Sequence, residues 1–136
     1  MADSSELREA AARAASQAYA PYSGLRVGAA LRSANGLIHC GCNVENGALP
    51  VGNCAERAAI AAAVLAEGPE FQLVAIAVVA IAGDGPPLPV PPCGACRQAL
   101  VEFGAGARVG FLSTDGTWRV ISAEDLLPHR FVLRGF

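Results

Sequence analysis

The sequence predicts an α/β fold, namely a three-layer α-β-α sandwich around a mixed sheet of about five strands. Three observations support this prediction. Helix-like and strand-like segments alternate along the 136 residues. An Asn35-Gly36 pair, which is typical of a tight hairpin, separates two short apolar stretches. Residues 71–82, FQLVAIAVVAIA, are apolar at nearly every position, as expected of a strand that helices cover on both faces.

The first third of the chain is predicted to form one helix and two strands. Residues 3–18 have the pattern of an amphipathic helix, and Pro21 and Gly24 mark the turn that breaks it. Residues 25–33 and 37–46 flank the Asn-Gly turn, so we expect two antiparallel strands there.

In the middle of the chain, a loop and a helix are predicted before the apolar strand, and a second loop after it. Residues 47–53 are a predicted loop, and residues 54–67 form an alanine-rich helix with Gly68 just beyond its end. After the apolar strand, residues 83–92 form a proline-rich loop.

The last third is predicted to complete the sheet. Residues 93–104 are a second helix, and residues 107–113 and 117–123 are strands around the turn TDG. Ser122 can cap a short helix, AEDLL. The predicted order is α-β-β-α-β-α-β-β-α. Since there is no internal repeat and no long linker, we expect residues 1–136 to form a single domain.

The composition excludes several classes of function. Apolar residues make up 53% of the chain, charged residues 16%, and the net charge is −2, which is not the profile of a disordered tail. The 10 positive side chains are all arginine and form no run, so a small neutral ligand is a better match than a nucleic acid polymer. The longest apolar run is about 11 residues, too short for a membrane span. No targeting segment is visible, so we expect a cytoplasmic protein without a membrane partner.

Cys93 and Cys96 lie three positions apart at the start of a predicted helix, so both sulfurs can face one point. Five cysteines without an export signal favour thiols and metal ligands over disulfides. The pair could be a redox centre, half of a structural zinc site or part of a catalytic metal site. Further ligands for a structural site would come from His39, Cys40, Cys42 or Cys54.

Cys54 opens the other central helix, and Glu56 follows two residues later. Three thiolates would leave the fourth position of a tetrahedral zinc ion open for water, as in a catalytic site. Zinc generates hydroxide near neutral pH, and a nearby carboxylate that is not a ligand can transfer protons. Alternatively, Asn53 and Glu56 only cap the start of the helix. The local sequence leaves both interpretations open.

The combination of CAE with a later PCGAC resembles the signature of zinc-dependent nucleoside deaminases in its three-cysteine form. The motifs PYS, VGAAL, GCNVEN, CAER, PCGACRQ and EDLLP follow the order found in small cytidine deaminases and cover roughly residues 18–131. The sequence is therefore identified as a member of the small, homotetrameric, three-cysteine type of cytidine deaminase. A cytidine deaminase-like sandwich is the fold that this resemblance implies.

The resemblance also implies roles for individual residues. Cys54, Cys93 and Cys96 would bind one Zn²⁺ per chain, and Glu56 would pass protons from the activated water to N3 of cytosine and to the leaving amine. The reaction would convert cytidine and deoxycytidine into uridine and deoxyuridine, a step of pyrimidine salvage. Arg57 would donate hydrogen bonds to the thiolates and offset their charge, unless it is an ordinary surface arginine.

Three further residues are expected to contact the nucleoside or its pocket. Asn43 and Glu45 lie two apart on one face of a strand end, and the resemblance implies that they hold the ribose 3′-hydroxyl. The alternative is a polar strand end that faces water. Phe131 would stack on the pyrimidine in a neighbouring subunit, although such a residue can also serve packing alone.

The pocket wall departs from the family pattern. Leu25 and Leu49 stand where aromatic residues are common, and Asn53 replaces a usual apolar residue. Leu25 is still expected to contact the substrate. These changes make a modified or antibiotic cytosine nucleoside, such as blasticidin S, an alternative substrate. A zinc-stabilised scaffold without turnover is the other alternative, in which Glu56 would have no task.

Four other side chains that could bind a metal are not expected to do so. Cys40 and Cys42 alternate with a glycine on a strand and are predicted to be small buried residues. His39 and His129 are also expected to lie outside the metal site.

Overall fold

The computed structural model describes residues 2–133. In this part of the chain a single sheet is formed by β1 (Leu25–Ser33), β2 (Ile38–Cys42), β3 (Leu73–Ala82), β4 (Arg108–Leu112) and β5 (Trp118–Ser122). The α-helices are α1 (Ala2–Ala15), α2 (Ala55–Glu67), α3 (Gly94–Phe103) and α4 (Ala123–Leu126). The predicted order of elements is confirmed. None of these helices is long and apolar enough to cross a membrane.

β3 lies at the centre of the sheet, whose strand order is β2-β1-β3-β4-β5. It pairs antiparallel with β1 and parallel with β4, so the sheet is mixed, as predicted. One face of β3 packs against α1, and the other packs in a core that includes α2 and α3. Because both faces are covered, β3 needs apolar side chains at successive positions. The predicted three-layer sandwich is confirmed.

Two glycines in the edge half of the sheet let helices approach its backbone. A Cβ atom at Gly28 would lie 1.9 Å from the carbonyl oxygen of Ala11 in α1. A Cβ atom at Gly41 would lie 2.4 Å from the backbone nitrogen of Ala59 in α2. Larger residues would therefore displace the helices at these positions. The Gly41 contact sets the distance between α2 and β2.

β2 ends at Cys42, earlier than predicted. The next residue, Asn43, still donates its N–H to Val27 in β1, but Val44 forms an isolated pair with Asn53. The chain leaves the sheet here because its backbone partners now are Asn53, in the loop before α2, and Tyr19, in the segment before β1. Within that loop, Leu49–Val51 forms a single 3₁₀ turn.

The ends of two helices can be explained by serine side chains. The N–H and the hydroxyl of Ser16 both donate to the carbonyl oxygen of Arg13, at 3.2 and 2.6 Å. This tighter turn ends α1 at Ala15, before the predicted residue 18. The predicted cap at Ser122 is confirmed, since its Oγ accepts the N–H of Asp125 at 3.2 Å.

Cys40 and Cys42 lie on β2, which is an edge strand. Gly41 between them faces α2, so their side chains point to the opposite face of the sheet. Cys40 is exposed and Cys42 is only partly buried, and both are free thiols. The prediction that both are buried is therefore wrong. An edge strand has a sheet neighbour on one side only, which leaves its residues less covered.

Candidate metal centre and active site

The N-terminal ends of two helices place three cysteines together. Cys54 is the N-cap residue of α2 and Cys93 is the N-cap residue of α3, both with extended backbone conformation. Neither side chain makes a capping hydrogen bond, so both sulfurs are free to turn towards a shared point. Cys96 lies in the first turn of α3 and is fully buried. The i, i+3 spacing brings its sulfur to the same side as that of Cys93.

The three sulfur atoms all lie within 4.8 Å of one another. Zn–S bonds of about 2.3 Å in a tetrahedron separate the sulfurs by about 3.8 Å, so the cluster fits a zinc ion. Among the described side chains, those of residues 5–133, no other group of three or more His, Cys, Asp or Glu meets this criterion. Three thiolates leave the fourth zinc position for a water molecule, as catalytic sites require.

The surroundings of the cysteines favour a bound cation. The positive ends of the α2 and α3 dipoles point towards the sulfurs and stabilise thiolates. Burial, followed by the negative charge of Glu56, raises the pKa of Cys96. This sulfur therefore needs a neighbouring cation in order to lose its proton near neutral pH. A zinc ion meets that need.

Arg57 lies against the sulfur cluster. Its Nη2 donates a hydrogen bond to Cys54 Sγ at 3.3 Å. Its Nε is buried and has no hydrogen-bond partner among the described residues. The guanidinium group thus places a permanent positive charge beside the thiolates.

Glu56 is the second residue of α2 and one of the few buried charged side chains. Burial raises the pKa of its carboxyl group above the usual value. Asn53 is not the N-cap of α2, because that position is Cys54. The helix start therefore does not form the alternative capping box between Asn53 and Glu56.

A pocket of about 510 Å³ opens next to Glu56 and the sulfurs of Cys54 and Cys93. Its polar lining consists of Ser23, Asn43, Glu45, Asn46 and Asn53. Its apolar lining includes Val27, Val90 and Pro91. The volume is in the range of small-molecule sites, and a flat ring can enter between the polar and apolar walls.

Hydrogen bonds fix the polar wall in place. The side chain of Asn43 accepts the N–H of Val27 at 2.8 Å and donates to the carbonyl oxygen of Leu25 at 2.9 Å. Glu45 accepts the N–H groups of Tyr22 and Ser23 at 2.9 and 3.1 Å, and the Ser23 hydroxyl at 2.5 Å. The Ser23 hydroxyl, followed by the Ser23 N–H, holds the pKa of Glu45 below its usual value. Each side chain retains free hydrogen-bonding capacity towards the pocket.

The structure brings most of the predicted pocket residues together, including Leu49 and Asn53. Leu25 is not among the residues that line the pocket. Its side chain packs partly buried against the core, and only its carbonyl oxygen touches Asn43. Phe131 is 68% exposed and lies beside α3, outside the pocket of its own chain.

Sequence reasoning did not identify the apolar wall or the partners of Glu45. Val90 and Pro91 directly precede the Pro92-Cys93 ligand segment, so their place in the chain could have indicated them. Ser23 belongs to the PYS motif, but nothing in the sequence shows that it bonds to a residue 22 positions later.

Comparison with known proteins places the chain in a family. Residues 1–112 match the model described as the cytidine and deoxycytidylate deaminase zinc-binding region. A cytidine deaminase of Sporosarcina psychrophila is 44% identical over 120 residues, which is 88% of this chain and 84% of that protein. A cytidine deaminase of Halalkalibacterium halodurans is 42% identical over 130 residues, which is 95% of this chain and 94% of that protein.

Solved structures agree with these sequence matches. The cytidine deaminase of Burkholderia pseudomallei has a TM-score of 0.80 and 44% identity, covering 93% of this chain and 98% of that chain. The cytidine deaminase of Mycobacterium tuberculosis has a TM-score of 0.80 and 38% identity, covering 95% of this chain and 97% of that chain. With the three-sulfur cluster in the same fold, the chain belongs to the zinc-dependent cytidine and deoxycytidylate deaminase family.

Proposed function

We propose that the domain formed by residues 1–136 catalyses the hydrolytic deamination of cytidine and deoxycytidine to uridine and deoxyuridine. The observation that carries this proposal is the meeting of three thiols and a buried carboxyl group, Glu56, at one pocket of about 510 Å³. The similarity to the bacterial proteins named cytidine deaminase supports it.

The reaction replaces the amino group at C4 of the pyrimidine with a carbonyl oxygen. Cys54, Cys93 and Cys96 would hold the zinc ion, which would supply an acidified water molecule for attack near neutral pH. Glu56 accepts the proton of that water and delivers protons to ring N3 and to the leaving amine. The C4–N bond breaks, a C4=O bond forms, and ammonia leaves. The raised pKa of Glu56 suits a carboxyl group that must hold a proton during this sequence.

Arg57 balances the charge of the metal centre in this proposal. Three thiolates on Zn²⁺ sum to one negative charge, which opposes the loss of a proton from water. The hydrogen bond from Arg57 to Cys54 draws electron density from one sulfur. The two helix N-termini act in the same direction.

Asn43 and Glu45 are proposed to hold the ribose 3′-hydroxyl. Both line the pocket, and the anchored Glu45 carboxylate is a charged acceptor for a hydroxyl proton. The bonds from Asn43 to the start of β1 keep this wall from moving when the sugar binds.

A homotetramer is proposed as the active form, with Phe131 stacking on the pyrimidine bound by a neighbouring subunit. The exposed ring and its distance from the pocket of its own chain support a role in another subunit. Gln98 holds the backbone of Phe131 through two hydrogen bonds of 3.0 and 3.2 Å, which fixes the point from which the ring extends.

The contacts between subunits would also cover apolar side chains that are exposed on this chain, among them Tyr19, Tyr22, Val44, Leu49 and Val51. The proposed setting is pyrimidine salvage in the cytoplasm.

A modified or antibiotic cytosine nucleoside is the second candidate substrate. Leu49 lines the pocket and is 76% exposed, so it leaves room at the pocket mouth that an aromatic residue would fill. Asn53 adds an amide to the same wall. Both features suit a substrate with a larger polar sugar portion.

The deciding experiment incubates the purified zinc-loaded protein with cytidine and follows uridine formation by ultraviolet absorbance. Rapid conversion is expected, with Glu56→Ala as the inactive control. Zinc bound at one ion per chain without conversion would direct the assay to modified and antibiotic nucleosides. No conversion of any cytosine nucleoside, with zinc bound, would favour the scaffold alternative.

A further inference from the structure

Arg97 links the segment that carries Cys93 to the C-terminal helix. Its Nε donates to the carbonyl oxygen of Pro92 at 2.8 Å, and its Nη1 donates to the carbonyl oxygen of Leu126 at 3.2 Å. Its own backbone N–H donates to the carbonyl oxygen of Cys93 at 2.9 Å. The Arg97 side chain therefore joins the peptide group that precedes Cys93 to the end of α4, while its backbone N–H makes the ordinary helical bond to the Cys93 carbonyl group.

The carbonyl groups that Arg97 contacts have few other means of stabilisation. Pro92 is buried, so its carbonyl oxygen would lose a charged donor without gaining water if Arg97 were removed. The Leu126 carbonyl group ends α4, where helices lack internal donors. The planar guanidinium group can serve both carbonyl groups at fixed directions, which an ammonium group cannot.

Cys93 depends on this contact more than the other two cysteines do. Cys96 is fully buried within α3, and Cys54 is partly buried at the start of α2. Cys93 is exposed and precedes its helix. Its sulfur interacts with Cys96 and Cys54, which belong to the same cluster. Its backbone is fixed on the N-terminal side by the Pro92 segment, which Arg97 contacts.

We propose that Arg97 is a positioning residue for the zinc ligand Cys93, and that it joins this ligand to α4. The inference rests on the proposed function in one respect, namely that Cys93 binds zinc. Arg57, by contrast, contacts a sulfur directly. Arg97 acts one step further out, through the backbone that carries the ligand.

The test measures metal binding rather than turnover. Zinc affinity is determined by equilibrium competition with a chromophoric chelator for the wild type, Arg97→Ala, Arg97→Lys and Gln98→Ala. Loss of such an outer contact typically weakens metal binding by about 10–100-fold, which we expect for Arg97→Ala. Arg97→Lys should fall between it and the wild type. Gln98→Ala is the matched control, because Gln98 contacts Phe131 and has no bond to Pro92; its zinc affinity should equal that of the wild type.

Cobalt substitution adds a spectroscopic readout. The ligand-field and thiolate charge-transfer bands of bound Co²⁺ report the number and geometry of the sulfur ligands. We expect weaker bands in Arg97→Ala and unchanged bands in Gln98→Ala. Thermal unfolding of each metal-free variant separates loss of folding from loss of positioning, since Arg97→Lys keeps a partly buried positive charge at this position.

Two outcomes would overturn the inference. The first is that the Arg97 variants bind zinc and cobalt like the wild type, whether or not their metal-free stability falls. Arg97 would then have a structural role alone. A wild-type protein that binds no zinc would overturn both this inference and the proposed function. The wild-type titration therefore distinguishes the two failures.

Discussion

At the scale of single residues, the pocket is lined by two carboxyl groups in opposite environments. Glu56 is 4% exposed, and burial raises its pKa. Glu45 accepts three hydrogen bonds from Tyr22 and Ser23, which lower its pKa. The first group is therefore suited to exchange a proton, and the second to remain a charged acceptor.

Replacement of Glu56 should separate catalysis from metal binding. Glu56→Ala and the isosteric Glu56→Gln should both lower kcat by at least about 10²–10⁴-fold, since neither side chain can transfer protons. Zinc content should stay at one ion per chain, because Glu56 is not part of the sulfur cluster. Steady-state assay and metal analysis of the same preparations measure both quantities. A variant with near wild-type kcat would exclude the proton-transfer role.

Replacement of Glu45 should affect sugar recognition alone. Glu45→Gln should lower kcat/KM for cytidine by roughly tenfold, since a neutral amide is a weaker acceptor than a carboxylate. Ser23→Ala is the matched control, because it removes the hydroxyl bond to Glu45 but leaves the carboxylate and both backbone bonds. Its loss of kcat/KM should be smaller. An unchanged kcat/KM in Glu45→Gln would argue against contact with the ribose.

The three cysteines of the metal centre could be predicted because the family motif joins Cys54 to Cys93 and Cys96, and the structure places their sulfurs together. The short spacings within each helix start had left several interpretations open. Leu25 and Arg97 show the limit of this approach. Whether Leu25 faces the pocket or the core, and which carbonyl groups Arg97 reaches, depends on packing between distant segments.

At the scale of elements, strand glycines set where the helices lie. Gly28 and Gly41 occupy adjacent strands and face opposite layers, with α1 against the first and α2 against the second. Of these two helices, only α2 carries site residues, namely Cys54 at its cap and Glu56 in its first turn. Displacement of the two helices should therefore have different consequences.

This difference gives a paired prediction. Gly28→Ala and Gly41→Ala should each lower the free energy of unfolding by about 1–3 kcal/mol or more, because a Cβ would clash with helix backbone. Gly41→Ala should also weaken zinc binding, whereas Gly28→Ala should not. Denaturant unfolding and chelator competition measure the two effects. Gly106→Ala, where a Cβ meets nothing within 4 Å, is the control. Equal zinc affinities in the two strand variants would show that α2 position does not control the site.

Element type and order were predictable because each element has its own pattern, such as the all-apolar β3 and the Asn35-Gly36 turn. The early end of β2 was not predictable, because Val44 pairs with Tyr19 and Asn53, which lie outside the named strands, instead of with β1. No local pattern signals such a change of partner. The exposure of Cys40 was missed for a related reason, since the sequence does not show which strand lies at an edge.

At the scale of the whole molecule, the pocket and the ring of Phe131, which is proposed to stack on a bound pyrimidine, lie apart in one chain. Phe131 lies beside α3 and is held by Gln98, whereas the pocket opens at the N-terminal ends of α2 and α3. In the proposed tetramer, Phe131→Ala should raise KM for cytidine by roughly tenfold, since stacking on a base stabilises binding appreciably. Val132→Ala, a truncation at the next exposed apolar residue, is the control and should leave KM unchanged. Sedimentation establishes that both variants keep the wild-type association state.

A complementation experiment tests whether Phe131 acts between subunits. Glu56→Ala subunits lack the proton-transfer group but retain Phe131, and Phe131→Ala subunits have the reverse defect. If the ring enters a neighbouring pocket, hybrids made by co-expression contain pockets with both an intact Glu56 and a partner's ring. Such hybrids should bind cytidine with a lower KM than Phe131→Ala alone. If Phe131 serves its own pocket, no arrangement of the two chains rebuilds a complete site, and the hybrids should show only the kinetics of their Phe131→Ala subunits.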